Sequence, residues 1–172
     1  MNIPETYDYL VRARRDLWTT LEGVPDDVLS SPLLDGVRLH SIKDLVFHTA
    51  AVEDCWLHED ILGDQPVLNS THLLKDTPRW SPVYSGFALE TLLSYWRDVE
   101  QRTLAYLARL TGEELQRIVI VHDAPEERYT VDGLLWHVMI HEMRHTAQIA
   151  VLLRTQGFEP PWLDLKRYLP LA

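Results

Sequence analysis

His141 and His145 stand four residues apart in a stretch that reads as helix, so their imidazoles leave one face about one turn apart. That is the spacing at which two side chains of one helix hold one metal ion. His137 precedes His141 by four residues and extends the stripe, yet it lies eight residues from His145, roughly 12 Å along a helix axis. An ion therefore pairs either His137 with His141 or His141 with His145, and periodicity leaves both open. His48 falls on the apolar stripe of an earlier helix, where each buried ring nitrogen needs a partner and a metal would satisfy one. A lone histidine in such a place is ordinarily a hydrogen-bonded core residue. Three on successive turns of one helix pack poorly unless something compensates, so the pattern reads as a divalent-metal site, with nitrogen ligands suited to zinc or nickel.

The run His141-Glu142-Met143-Arg144-His145 also satisfies H-E-x-x-H, the zinc-protease signature in which the glutamate activates water. The extended form needs a glycine and a third histidine further on, whereas Thr146-Ala147-Gln148 follows here. A glutamate ligand on a later helix has little room, because 27 residues follow His145 and they include Pro160-Pro161. A protease is thus the weaker alternative. Glu142 and Glu53 lie roughly 100 to 140° around their helices from His141 and His48, which predicts surface or structural roles, Glu142 facing solvent. Cys55 is seven residues from His48, about 10 Å along the same stripe, and reads as core packing.

Four helices must position these groups. The first is predicted over about residues 5 to 22, with Leu10, Ala13, Leu17 and Leu21 inward, stopping at Gly23 before a Pro25-Asp26 turn. Ser41 with Asp44 resembles a capping box and starts the second, whose stripe of Leu45, His48, Val52, Cys55, Trp56 and Glu59 runs to about Gly63. The third, about 86 to 110, aligns Leu89, Leu92, Trp96, Val99, Thr103, Tyr106 and Leu110 and closes at Thr111-Gly112. The fourth, about 131 to 156, carries Leu134, His137, His141, His145, Gln148 and Leu152 and ends at Gly157. Residues 117–121 and 128–130 flank His122-Asp123-Ala124-Pro125-Glu126-Glu127 and predict a short β-hairpin or extended excursion. Residues 63–85 form a long connection of the kind used as a lid or crossover. The expected fold is an all-α four-helix bundle with that long loop between helices two and three and the hairpin between helices three and four.

With 172 residues, the chain is sized for one domain, residues 1–172. Sixteen Lys and Arg against 26 Asp and Glu give a formal net charge of -10, which disfavours nucleic acid and anionic membrane surfaces as partners. The start MNIPETYDYLVRARRDLW mixes charge among its apolar residues, which predicts no secretory signal, and no stretch reaches the length of a membrane span. The one cysteine, Cys55, has no internal disulfide partner, in keeping with a reducing, cytoplasmic setting. Trp56, Trp80 and Trp96 suit either a substrate pocket or ordinary core packing.

The chain resembles the DinB/YfiT-like superfamily of bundle proteins. The family's helix-two pattern, a histidine followed by an acid and an aromatic, is echoed by His48, Glu53 and Trp56. Its helix-four pattern is echoed by His137, His141, His145, Ala147 and Gln148, and its close by Gly157-Phe158-Glu159-Pro160-Pro161-Trp162-Leu163-Asp164. The resemblance covers nearly the whole chain. It implies that His48, His141 and His145 are the metal ligands, leaving His137 and Gln148 to the pocket or to a supporting shell. Many relatives carry Arg where this chain has Thr146, so substrates do not transfer by analogy.

Three neutral imidazoles leave a coordination position open, and an ion so held lowers the pKa of a water towards about 7 or holds a thiol as thiolate. The expectation is therefore a metal-dependent hydrolase or, as the resemblance implies for some branches of the family, a transferase that activates a low-molecular-weight thiol, acting on a small molecule. The alternative from another class is a non-catalytic, metal-binding stress protein that forms a homodimer.

Overall fold

The computed structural model describes residues 1–34, 39–71, 74 and 86–169. Its main elements are α1 (Ile3–Glu22), α2 (Asp26–Ser30), α3 (Ile42–Asp54), α4 (Leu89–Leu107), α5 (Gly112–Gln116), β1 (Ile118–Val121), β2 (Ala124–Thr130) and α6 (Val131–Thr155). The four long helices make the expected bundle. Most of the loop predicted at 63–85, and Trp80 with it, lies outside the described residues.

Local chemistry sets the helix ends. Asn2 accepts from the Glu5 amide while Glu5 reaches back to the Asn2 amide, capping α1, and Ser41 with Asp44 does the same for α3. Gly157, at φ 82, takes the left-handed conformation that ends α6. Thr111-Gly112 differs from its predicted role as a stop. The Thr111 side chain accepts from the Glu114 amide and so starts α5. Likewise Pro25 leads into α2, with Asp26 and Asp27 in the first turn where they complement the helix dipole. The hairpin turns at His122-Asp123, earlier than predicted, because β2 pairs back from Ala124 with an irregularity after Ile120. Its last residue, Thr130, caps α6.

The second predicted helix does not stay α-helical. From Cys55 to Ile61 the chain winds as a π-helix, whose wider turn displaces the stripe. Leu57, His58 and Ile61 are buried there, while Cys55, Trp56 and Glu59, predicted inward, are only half-buried. Cys55 is accordingly not a core residue. Its thiol lies 3.5 Å from a Glu59 carboxylate oxygen.

Two apolar clusters mark the ends of the bundle. One holds Leu17, Leu21, Leu45, Val46, Leu92, Leu93, Ile149 and Leu153. The other holds Ile3, Tyr7, Leu57, Ile61, Tyr106, Leu107, Leu134 and Leu135. α1 and α6 therefore run one way, and α3 and α4 the other. α3 packs on α4 and α6, and α1 packs on the same two helices, so α1 lies diagonal to α3. Because α3 and α4 are parallel neighbours, the chain must travel the length of the bundle between them. That requirement explains the long connection.

Midway between the clusters sits Arg14, 1% exposed. Its Nε and Nη2 donate to Glu142 of α6 at 2.9 and 2.6 Å, Nη1 to Glu100 of α4 at 2.8 Å, and Nη2 to Glu53 of α3 at 3.3 Å. Arg15 adds a second cation on Glu100. Tyr7, Trp96 and Thr103 donate to Glu53, and the guanidinium carbon lies 4.8 Å from the Trp96 ring centroid. Glu53 and Glu142 are thus structural, as one of the sequence-based alternatives had it, but Glu142 does not face solvent. Its predicted exposure is overturned by the fork to Arg14. Burial, outweighing the pull of Arg14, raises the carboxyls of Glu100 and Glu142 above their ordinary range.

Removing the cation leaves Glu53 and Glu142 buried without a charge partner and Glu100 with Arg15 alone. Arg14→Met should destabilise the protein by about 3–5 kcal/mol in urea unfolding near neutral pH, with part of the loss recovered as the acids take up protons on acidification. A loss under about 1 kcal/mol would mean that the network does not hold the helices together.

Candidate metal centre

With Glu53 and Glu142 drawn to the bundle axis, the histidines beside them turn to the seam between α3 and α6. His48 Nε2 lies 3.1 Å from His141 Nε2, which lies 3.1 Å from His145 Nε2. All three rings are buried, and their ligand-capable nitrogens fall within 4.8 Å of one another. No other group of this kind occurs among the described residues.

The arrangement fits a divalent ion. Metal–nitrogen bonds of about 2.0–2.1 Å place neighbouring ligand nitrogens about 2.9–3.4 Å apart, which brackets the two spacings to His141. Without an ion, the His141 nitrogen faces two others and can share one proton with only one of them. The His145 ring is held from behind. Its Nδ1 donates to the Gln148 side-chain carbonyl at 2.6 Å, which leaves Nε2 bare towards the cluster, the support commonly given to metal-binding imidazoles. Of the two pairings open in the sequence, the fold therefore brings together His141 and His145. His137 stays outside the cluster, exposed, with its ring 5.4 Å from Trp56 and 6.1 Å from His141.

The electrostatics suit neutral ligands. Burial, then repulsion by any charge on His145 or His48, pushes His141 down to about 3. Burial also lowers His145 and His137, with the Arg144 guanidinium adding to both, while the Gln148 bond partly opposes the shift at His145. The His141 and His145 imidazoles are thus unprotonated at pH values where free histidine would carry charge.

A model of the DinB family matches residues 1–172. The chain belongs to the DinB family. A DinB-like protein from Bacillus cereus is 19% identical and superposes with a TM-score of 0.63 over 93% of this chain and 94% of its own. YfiT from Bacillus subtilis, described as a probable metal-dependent hydrolase with an unusual four-helix bundle topology, is 20% identical, with a TM-score of 0.66 over 91% of this chain and 89% of its own. At those identities the likeness is one of fold. No curated protein matches the chain significantly. No helix among the described residues is long and apolar enough to cross a membrane.

Within this DinB-family bundle, one central residue escapes the histidine pattern. Arg14 stands between Leu10 and Leu17 on the inward stripe of α1, and a cation there signals a buried partner that spacing does not identify. Arg144 was likewise visible only as part of H-E-x-x-H. It sits on the exposed flank of α6, between the two ligand-capable histidines in sequence.

The depressed pKa of His141 has a definite sign. The unfolded chain takes up a proton near 6.5 and the folded one only near 3, so this contribution to stability is complete above about pH 6.5 and is lost as pH falls towards 3. Metal-free protein should therefore lose stability on acidification through pH 6.5 to 4.5, and His141→Ala should lose less over the same window. Parallel curves from urea titrations of the two proteins would contradict the assignment.

Proposed function

We propose that this DinB-family protein is a metal-dependent enzyme in which His48, His141 and His145 hold one divalent ion, zinc or nickel. The observation that carries this reading is the convergence of three Nε2 atoms, with 3.1 Å between His141 and each of the others, from two helices whose rotation is fixed elsewhere. When bound, the ion supplies a Lewis acid that makes a water or a thiol acidic enough to act as a nucleophile near neutral pH. Hydrolysis or thiol-dependent group transfer on a small molecule follows as the reaction class, and the description of YfiT favours hydrolysis.

The protein's own groups contribute orientation and electrostatics. Gln148 fixes the His145 tautomer, and burial favours the neutral form of His141 and His145, the form that binds a metal. Glu142 is committed to Arg14 through two hydrogen bonds, which argues against its use as the general base of an H-E-x-x-H protease. The Arg14 network also supports a catalytic rather than a structural ion, since the bundle centre is cross-linked without one.

Metal analysis of purified protein tests the ligand set. His48→Ala, His141→Ala and His145→Ala should each lose the ion, His137→Ala should retain it, and Gln148→Leu should bind it about 10- to 100-fold more weakly. Retained metal in the first three would overturn the reading. Chelation should leave a cooperatively folded protein by circular dichroism, and unfolding on chelation would favour a structural ion.

A further inference from the structure

In a chain whose net charge is -10, two acids close in sequence to the clustered histidines on α3 and α6 are drawn into ion pairs inside the bundle. These are Glu53 and Glu142, both bonded to Arg14. The outer flank of α6 instead presents Arg144. On an α-helix this residue lies about 1.5 Å along the axis from His145 and about 4.5 Å from His141, and about 20° and 40° around from His137 and Gln148. It therefore stands level with the cluster on the rim that His137 and Gln148 share. The rim is exposed at all three positions. Arg144 forms no hydrogen bond or ion pair among the described residues, and its charge is felt by His137, His141 and His145. A guanidinium with no partner among the described residues leaves its forked donors to an incoming anion. Trp56, half-buried on the π-helical turn and edge-on to His137, supplies an aromatic wall nearby.

We propose that Arg144 is the anion-recognising residue at the mouth of the histidine cluster, and that the ligand drawn there is a small molecule with a carboxylate or comparable anion beside its metal-binding atom. This inference rests on the metal reading above. Three neutral imidazoles leave the full charge of a divalent ion uncompensated, and Arg144 adds to it. An anionic ligand is thus favoured in approach and in the bound state, while a neutral one gains only its bond to the ion. Arg144 acts here as a specificity-determining residue and takes no part in bond making.

Cobalt(II)-loaded protein provides the test, since its visible spectrum reports ligand exchange at the ion. The probes are imidazole-4-acetate and 4-methylimidazole, which offer the same type of donor nitrogen with and without an anionic arm. Wild type should bind the acetate more tightly. Arg144→Gln should weaken the acetate about five- to tenfold while changing 4-methylimidazole less than about twofold, and Arg144→Lys should restore most of the difference. Equal effects on both probes, no effect on either, or loaded wild type that responds to neither would overturn the proposal. Wild type that takes up no cobalt would instead overturn the metal reading, and this inference with it.

Discussion

A guanidinium cannot be left in a bundle core without anionic partners, and Arg14 takes one from each of the other three long helices. This constraint reaches well beyond its own bonds. Each contact fixes the height and the rotation of a helix about its axis, so the four are registered at a single level. Rotation matters most on α3 and α6. Glu142 follows His141 by one residue and Glu53 follows His48 by five, so acids fixed on the axis aim the histidines sideways into the seam between the two helices. The hub and the metal centre are two faces of one arrangement.

Placement in a seam rather than on the axis gives the site its chemical character. Burial favours the neutral form of His141 and His145, yet His137, Arg144 and Gln148 beside them remain at the surface. The cluster thus adjoins the exposed flank of α6 and not the interior of the core. The π-helical turn after Asp54 contributes to the same boundary. By widening the helix it buries His58 against Asp54, which also accepts from the Val67 and Leu68 amides where the long connection leaves α3. Trp56 is thereby left at the rim, opposite His137.

Parallel packing of α3 and α4 gives the long connection its purpose, and the hairpin before α6 has a similar logic. α4 ends and α6 begins at the same end of the bundle on diagonal corners, and α5 with the hairpin spans that corner. Val119 and Val121 face the protein while Ile118 and Ile120 face out, the alternation of a two-stranded ribbon lying on a surface.

The four helices, their apolar stripes and the stripe of imidazoles on α6 were written in the sequence, because helical periodicity and capping are local and act through residues three or four apart. His48, His141 and His145 could be named from the sequence only with the help of family resemblance, since spacing on α6 is equally good for His137 with His141. Other features were decided in three dimensions. The burial of Glu142, the role of Arg14, the half-exposure of Cys55 and the choice of histidine pair all depend on how helices distant in sequence are rotated against one another. That rotation is set by charges that must find partners across the core, and no local pattern encodes it.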